Sequence, residues 1–180
     1  YTNIVGKDRD VGYGVLRMDE DQKWRPYYLG NPVYAFLLMT FFEWGVMLHD
    51  LESEEVFAGR RHLWRGENAP IMRRIRKKVG KQVGKDYIVF PALAGRNWKH
   101  TLGANAVANL IRNYWSYMVI FCGHFPDGAE KFTKEEFEQE THAEWYLRQM
   151  LGSANFHAGP TMAFMSGNLC YQIEHHLFPD

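Results

Sequence analysis

The sequence predicts an all-α, integral membrane helical domain, and three features of the chain predict it. Two long apolar stretches, Val33 to Leu48 and Leu102 to Phe125, have the content of membrane-crossing or deeply buried helices. Between them a dense basic run overlies apolar residues spaced four apart. Beyond Phe125 the chain turns polar and opens a helix with a Thr-x-x-Glu start signal.

In chain order, residues 1 to 30 are polar and rich in Gly, Asp and Arg; GKDRDVGYG reads as a surface loop leading into a short strand-like or irregular run. VYAFLLMTFFEWGVML, from Val33 to Leu48, is apolar apart from Glu43, slightly shorter than the roughly 20 residues of a full span. A buried helix of a soluble protein has the same pattern. Leu102 to Phe125 is long enough to cross a bilayer at about 1.5 Å per residue. Asn105, Asn109, Arg112, Asn113 and Ser116 gather on one side of that helix, and Val107, Leu110, Ile111, Tyr114, Trp115 and Met118 mainly on the other. In lipid the polar side must face protein or a wet cavity, since a polar group in hydrocarbon costs several kcal/mol, on the order of a lost hydrogen bond or more. A soluble all-α core is the competing reading.

Seven positive charges and no negative ones lie between Arg73 and Lys85, with Ile71, Ile75, Val79 and Val83 beneath them. That is the pattern of a basic amphipathic helix at an anionic membrane surface, and equally of a solvated helix face. No aromatic residues interleave the charges, so nucleic acid is not an expected partner. If both apolar stretches cross the membrane, this basic loop falls on the side where positive charge is normally avoided. A re-entrant or interfacial first segment would remove the conflict.

After Phe125, Thr133 and Glu136 form a candidate capping box before an amphipathic helix through about Leu151, with Phe137, Trp145 and Met150 on its buried side. Gly152-Ser153 and Gly159-Pro160 interrupt the pattern, and a final helix ends near Pro179.

The 180 residues are 46% hydrophobic and 16% aromatic, with zero formal charge, which suits one domain with a core and excludes a disordered or strongly polyanion-binding chain. Cys122 and Cys170 lie in no CxxC or zinc spacing and read as reduced thiols. The chain opens on Tyr1 and stops just after its densest chemistry, so it reads as a piece of a longer domain, incomplete at both ends.

That chemistry is QIEHH. On a helix His175 and His176 point about 100° apart and could serve two neighbouring metal ions, with Gln172 and Glu174 beside them. Imidazole suits iron, copper and zinc alike. An inverted HxxEH zinc motif ending at His175 would need histidine where Tyr171 stands, and HExxH, GxSxG and phosphate-binding glycine loops are all absent. His124, at the end of the second apolar stretch, falls on the side of Asn109 and Asn113 if the helix is regular; a helix-end anchor is the plainer reading of it. His49, His62, His100 and His142 read as surface or helix-end residues, whereas His157 is close enough in sequence to the motif to be considered as a further ligand. Tyr114, Trp115, Tyr117 and Phe121 read as core more readily than as a substrate tunnel.

GNLCYQIEHHLFPD, Gly167 to Asp180, resembles the third histidine box of membrane-bound fatty-acid desaturases in its QxxHH form. The opening YTN resembles the residues that come after the second box, and FCGHFPDG resembles the segment in which these enzymes carry an additional ligand histidine, matching His124. The resemblance runs along essentially the whole chain, closest from Leu102 onward, and is nearest to the actinobacterial acyl-CoA desaturases. It implies a non-haem di-iron centre facing the cytoplasm, O2 as co-substrate, and removal of two hydrogens from a long-chain acyl-CoA or acyl-lipid. His124, His175 and His176 carry over as metal ligands; Asn155 of GSANF and Gln172 as water-mediated or outer partners; Glu174 as an orienting partner of an imidazole.

The resemblance further implies one domain over residues 1 to 180, with membrane helices at 33 to 48 and 102 to 125 and a cytoplasmic portion at 126 to 180. Electrons would come from a ferredoxin-, rubredoxin- or cytochrome b5-like carrier with its reductase, since no flavin or nicotinamide fingerprint is present. Membrane lipid is the expected surrounding. The first box and the HxxHH of the second are not in this chain, so these residues alone are expected to hold iron poorly and not to desaturate. A membrane di-iron lipid hydroxylase and a non-catalytic membrane-surface module are the alternatives.

Overall fold

The computed structural model describes residues 2–4, 8, 16–18, 20, 22–51, 56, 59–126 and 128–178, without the side chains of 48–50 and 122. The described residues are helical, with a single isolated parallel bridge between Ile4 and Phe132 in place of any strand. GKDRDVGYG lies outside them apart from Asp8. The chain divides into two compact units, one of residues 12–114 and one of 1–11 with 115–180.

In the first unit, a 3-10 turn at Pro26–Gly30 leads into α1 (Asn31–Thr40). Phe41 (φ −116°, ψ 32°) leaves helical geometry, and α2 (Phe42–Gly45) and a 3-10 segment at Val46–Leu51 come next. The predicted continuous helix over Val33–Leu48 is thus broken at Phe41. The cause is polar: Glu43 N donates to Asn113 Oδ1 at 3.3 Å, and Asn113 Nδ2 donates to the Thr40 carbonyl at 2.8 Å. One buried amide therefore satisfies backbone groups on both sides of the break, which an unbroken helix would have satisfied internally.

The basic run forms the predicted helix, α3 (Asn68–Gly84). Arg73, Arg74, Arg76, Lys77, Lys78 and Lys81 are exposed, and Ile71, Ile75, Val79 and Val83 are half-buried. The helix runs on through a π turn at Lys85–Val89 into α4 (Phe90–Leu93). Gly95, at φ +56°, supplies the left-handed residue of the connection to α5 (Trp98–Ser116).

The polar side of α5 is used within this unit. Asn105 donates to the Asp86 carbonyl at 2.6 Å, Asn109 to Asp86 Oδ2 at 3.2 Å and to the Tyr87 hydroxyl at 3.0 Å, and Arg112 pairs with Glu43. Gln82 also donates to Glu43, at 3.0 Å. The apolar side faces outward: Val107, Leu110 and Ile111 are exposed, as are Val33, Phe36 and Leu37 of α1 and Ile88, Val89, Phe90 and Leu93 at the π turn and α4. Asn113→Leu is expected to cost about 2–6 kcal/mol, because it strands the Thr40 carbonyl and the Glu43 amide, each worth about 1–3 kcal/mol when left unpaired. Thermal unfolding of the variant checks it.

No helix among the described residues is long and apolar enough to cross a membrane. The break at Phe41 shortens the first expected span, and the asparagine stripe dilutes the second. The premise of the topology conflict, two unbroken spans flanking the basic run, is therefore not met.

In the second unit, α5 continues through a π turn at Tyr117–Phe121 into α6 (Cys122–His124). The π turn adds a residue to the helical repeat, so the regular phase that put His124 on the Asn109 and Asn113 side does not hold. The single helix expected from Thr133 to Leu151 is two: α7 (Lys134–Glu138) and α8 (His142–Leu151). Each opens with a complete capping box, Thr133 with Glu136 and Thr141 with Glu144. Hydrogen bonds from the two threonines hold the Glu136 and Glu144 carboxyls below their usual range. Met150 is exposed, contrary to expectation; the buried residues of α8 are Arg148 and Gln149. The final helix is also divided, into α9 (Pro160–Met165) and α10 (Gln172–Leu177), because Gly167 and Asn168 are both left-handed at φ +63°.

Candidate metal centre

The site is assembled from α6, α8, α10 and the segment at Thr2 and Asn3. Asn3 threads through the unit: its Nδ2 donates to the Gly152 carbonyl at 2.6 Å and the Glu130 carbonyl at 3.1 Å, and its carbonyl accepts from Phe132 N at 3.0 Å. Arg148 locks the same segment. Its Nε and Nη2 meet the two Glu140 carboxylate oxygens at 2.9 and 3.0 Å, and its Nη1 donates to the Thr2 carbonyl at 3.2 Å. Gly152 is required by close approach, since a Cβ there would stand 3.0 Å from the Arg148 carbonyl oxygen and 3.3 Å from the Thr2 methyl.

Of the sequence-predicted ligands, His124 and His176 are brought together edge to face from different helices, ring centres 5.3 Å apart at 67°. His175 and His176 stand 5.8 Å apart at 80°, splayed as adjacent helical residues must be. His124 Nδ1 lies 2.9 Å from the Ile120 carbonyl, and His176 Nδ1 lies 3.0 Å from Thr2 Oγ1. Both rings thus have Nδ1 engaged by protein, leaving Nε2 as the free position. Burial, with His124 and His175 alongside, pushes the His176 pKa down to about 4, so the ring is neutral at neutral pH. Among the described residues no group of three or more His, Cys, Asp or Glu is gathered closely enough to hold a metal ion; the histidines meet in pairs.

Gln172 is fully buried, and its amide Nε2 donates to the Leu169 carbonyl at 2.9 Å. Its Oε1 is buried without a partner. The amide lies against Gly123, whose Cβ would be 3.5 Å from Nε2, so it sits beside the helix turn that carries His124. Asn155 has both ends of its amide committed to α10, donating to Glu174 Oε2 at 2.8 Å and accepting from Ile173 N at 3.0 Å. Glu174 therefore receives Asn155, and together they fix the start of the helix that bears His175 and His176.

His62, His100 and His142 are exposed, as expected, and His142 packs on Trp145 and Tyr146; His157 is exposed too. The side chains of His49 and Cys122 lie outside the described residues, and Cys170 is a buried free thiol. Thr2, Gln149 and Arg148 were not singled out by sequence reasoning. Nothing in their spacing marks them, because they reach the site only through contacts spanning some 146 to 174 positions.

The donors present suit a first-row metal, iron among them, but only as part of a larger ligand set. Neutral imidazoles with Nδ1 already hydrogen-bonded are the form in which histidine binds a first-row metal. The unpartnered Gln172 oxygen, buried on the helix that bears His175 and His176, is a group that water or a metal-bound ligand could satisfy.

Comparison with known proteins gives the family: the chain matches the fatty acid desaturase family over residues 1–180, and it belongs to that family. It is 56% identical, over its full length, to proteins of two Mycobacterium tuberculosis strains, CDC 1551 and H37Rv, named NADPH-dependent stearoyl-CoA 9-desaturase. It is 26% identical over 99% of its length to an acyl-lipid (7-3)-desaturase of Rebecca salina. The chain spans 43% and 40% of the length of these relatives. No solved structure matches it. The expected family, and the likeness to actinobacterial acyl-CoA desaturases, are both met.

Proposed function

We propose that the protein to which these residues belong introduces a double bond into a long-chain fatty acyl-CoA, with stearoyl-CoA as the substrate to test first. The observation that carries the reading is the edge-to-face His124 and His176 pair with both Nδ1 atoms engaged, in a chain that matches the desaturase family throughout. His124, His175 and His176 would hold iron, joined by ligands from histidine boxes outside these 180 residues. The iron, when bound, supplies O2-dependent oxidation of an unactivated methylene, which no side chain can perform.

The chain's own residues do the positioning. Ile120 and Thr2 orient the two rings; Asn155 and Glu174 fix the turn of α10 from which His175 and His176 project; Gln172, at the start of the same helix, carries a buried, unpartnered oxygen. Electrons would come from NADPH, as the name of the mycobacterial relatives suggests, and a reductase with a small redox carrier would pass them on. We place the centre on the cytoplasmic side of a membrane; what supports the membrane location is the first unit, where polar side chains turn inward on one another while many large apolar residues face out. The exposed basic face of α3 suits the anionic headgroup layer of such a membrane.

The test is product analysis of the full protein with deuterium-labelled stearoyl-CoA, NADPH and a reductase system. Loss of two hydrogens and an alkene is expected. A hydroxylated product without alkene would move the protein to the lipid hydroxylases, and iron-free protein with no product would leave a non-catalytic membrane module.

A further inference from the structure

We propose that Thr2 is a positioning residue for the metal centre: its hydroxyl, held by Gln149, fixes His176 with the proton on Nδ1 and the lone pair on Nε2. This rests on the reading of His176 as a ligand and deepens it.

A threonine hydroxyl has one proton to donate and can accept on its oxygen. Thr2 Oγ1 lies 2.6 Å from Gln149 Oε1. That separation belongs to an O–H···O bond and is shorter than an amide N–H···O contact, so the hydroxyl gives its proton to Gln149 and the amide presents its oxygen. With the proton committed, the 3.0 Å contact to His176 Nδ1 is a hydrogen bond only if the ring donates. A neutral imidazole protonated at Nδ1 carries its lone pair on Nε2. His124 reaches the same tautomer by another route, since the Ile120 carbonyl 2.9 Å from its Nδ1 can only accept. The two rings therefore offer the same nitrogen.

Three features hold Thr2 to this task. Arg148 grips its carbonyl, the bare Cα of Gly152 leaves room for its methyl, and Gln149 is buried, which keeps water from competing for the hydroxyl.

The experiment compares full protein carrying Thr2→Val, Thr2→Ser, Gln149→Met or His176→Ala with wild type. Iron affinity is read by dialysis against chelators of graded strength, and ring tautomers by 15N spectra of the histidine-labelled apoprotein. Thr2→Val should weaken iron binding by about 10–100-fold, the usual effect of losing an outer partner of a ligand. It should also release one histidine ring into a mixture of tautomers, and Thr2→Ser should restore both readouts. Gln149→Met leaves Thr2 in place but frees its proton, so one ring should change to the Nε2–H form and iron binding should weaken. This variant gives an independent reading if Thr2→Val does not fold. Wild-type iron affinity and tautomers in Thr2→Val, or no change in Gln149→Met, would overturn the role of Thr2. Wild-type iron in His176→Ala would overturn the ligand reading beneath it.

Discussion

His176→Ala in the full protein is expected to abolish alkene formation from stearoyl-CoA and to lower retained iron by more than roughly a hundred-fold, beyond the range for losing an outer hydrogen-bond partner. His176 is the half-buried member of the adjacent pair, it alone contacts both His124 and His175, and Thr2 holds its ring. Removing it takes the shared member from both pairs. His124→Ala should behave similarly. His157→Ala, at an exposed position, should keep iron and rate near wild type. Metal analysis beside chromatographic assay of the product decides the matter; undiminished iron and turnover in His176→Ala would leave the assignment without support.

Arg148→Met is expected to destabilise the protein by about 3–5 kcal/mol, the range for removing one partner of a buried ion pair. The Arg148 and Glu140 side chains are only 5% and 9% exposed and meet through two parallel contacts. The substitution leaves the Glu140 carboxylate buried without its cation and releases the Thr2 carbonyl. Iron binding should weaken along with the melting temperature, because the same guanidinium tethers the segment that orients His176. The double variant Glu140→Leu with Arg148→Met should regain much of the lost stability, since two apolar side chains replace a buried pair at little cost. It should not regain the iron affinity. Parallel recovery of both quantities would mean that the pair acts on stability alone.

These expectations rest on contacts of unequal legibility. The helical class, the α3 amphipathic pattern and the Thr133–Glu136 box are local signals, written within a few residues of one another, and all are present in the fold. The Thr141–Glu144 box has the same spacing and is equally legible; a single amphipathic helix from Thr133 to Leu151 conceals it. The break at Phe41 was not legible, because its cause is an amide 70 residues away from Glu43. Nor was the inward face of α8: hydrophobic periodicity favours Met150, whereas burial goes to Arg148 and Gln149, polar residues with partners near the other end of the sequence. Of the candidate centre, the histidines could be named from a motif. The groups that orient them could not, since hydrogen-bond partners at long separation leave no periodic trace.

The stitching of Thr2 and Asn3 into α8 and α10 also sets an order of events during synthesis. Thr2 meets Gln149 across 147 positions and His176 across 174. Pairings so distant in the chain close late, after the entropy of a very long loop has been overcome. Residues 12–114 form a compact unit of their own and can acquire their packing while the ribosome is still translating the C-terminal residues. The second unit has to wait for α10, so a metal held by His124 and His176 would load only after residue 176 has been made, and a nascent chain stalled before that point would expose an unfinished site to quality control.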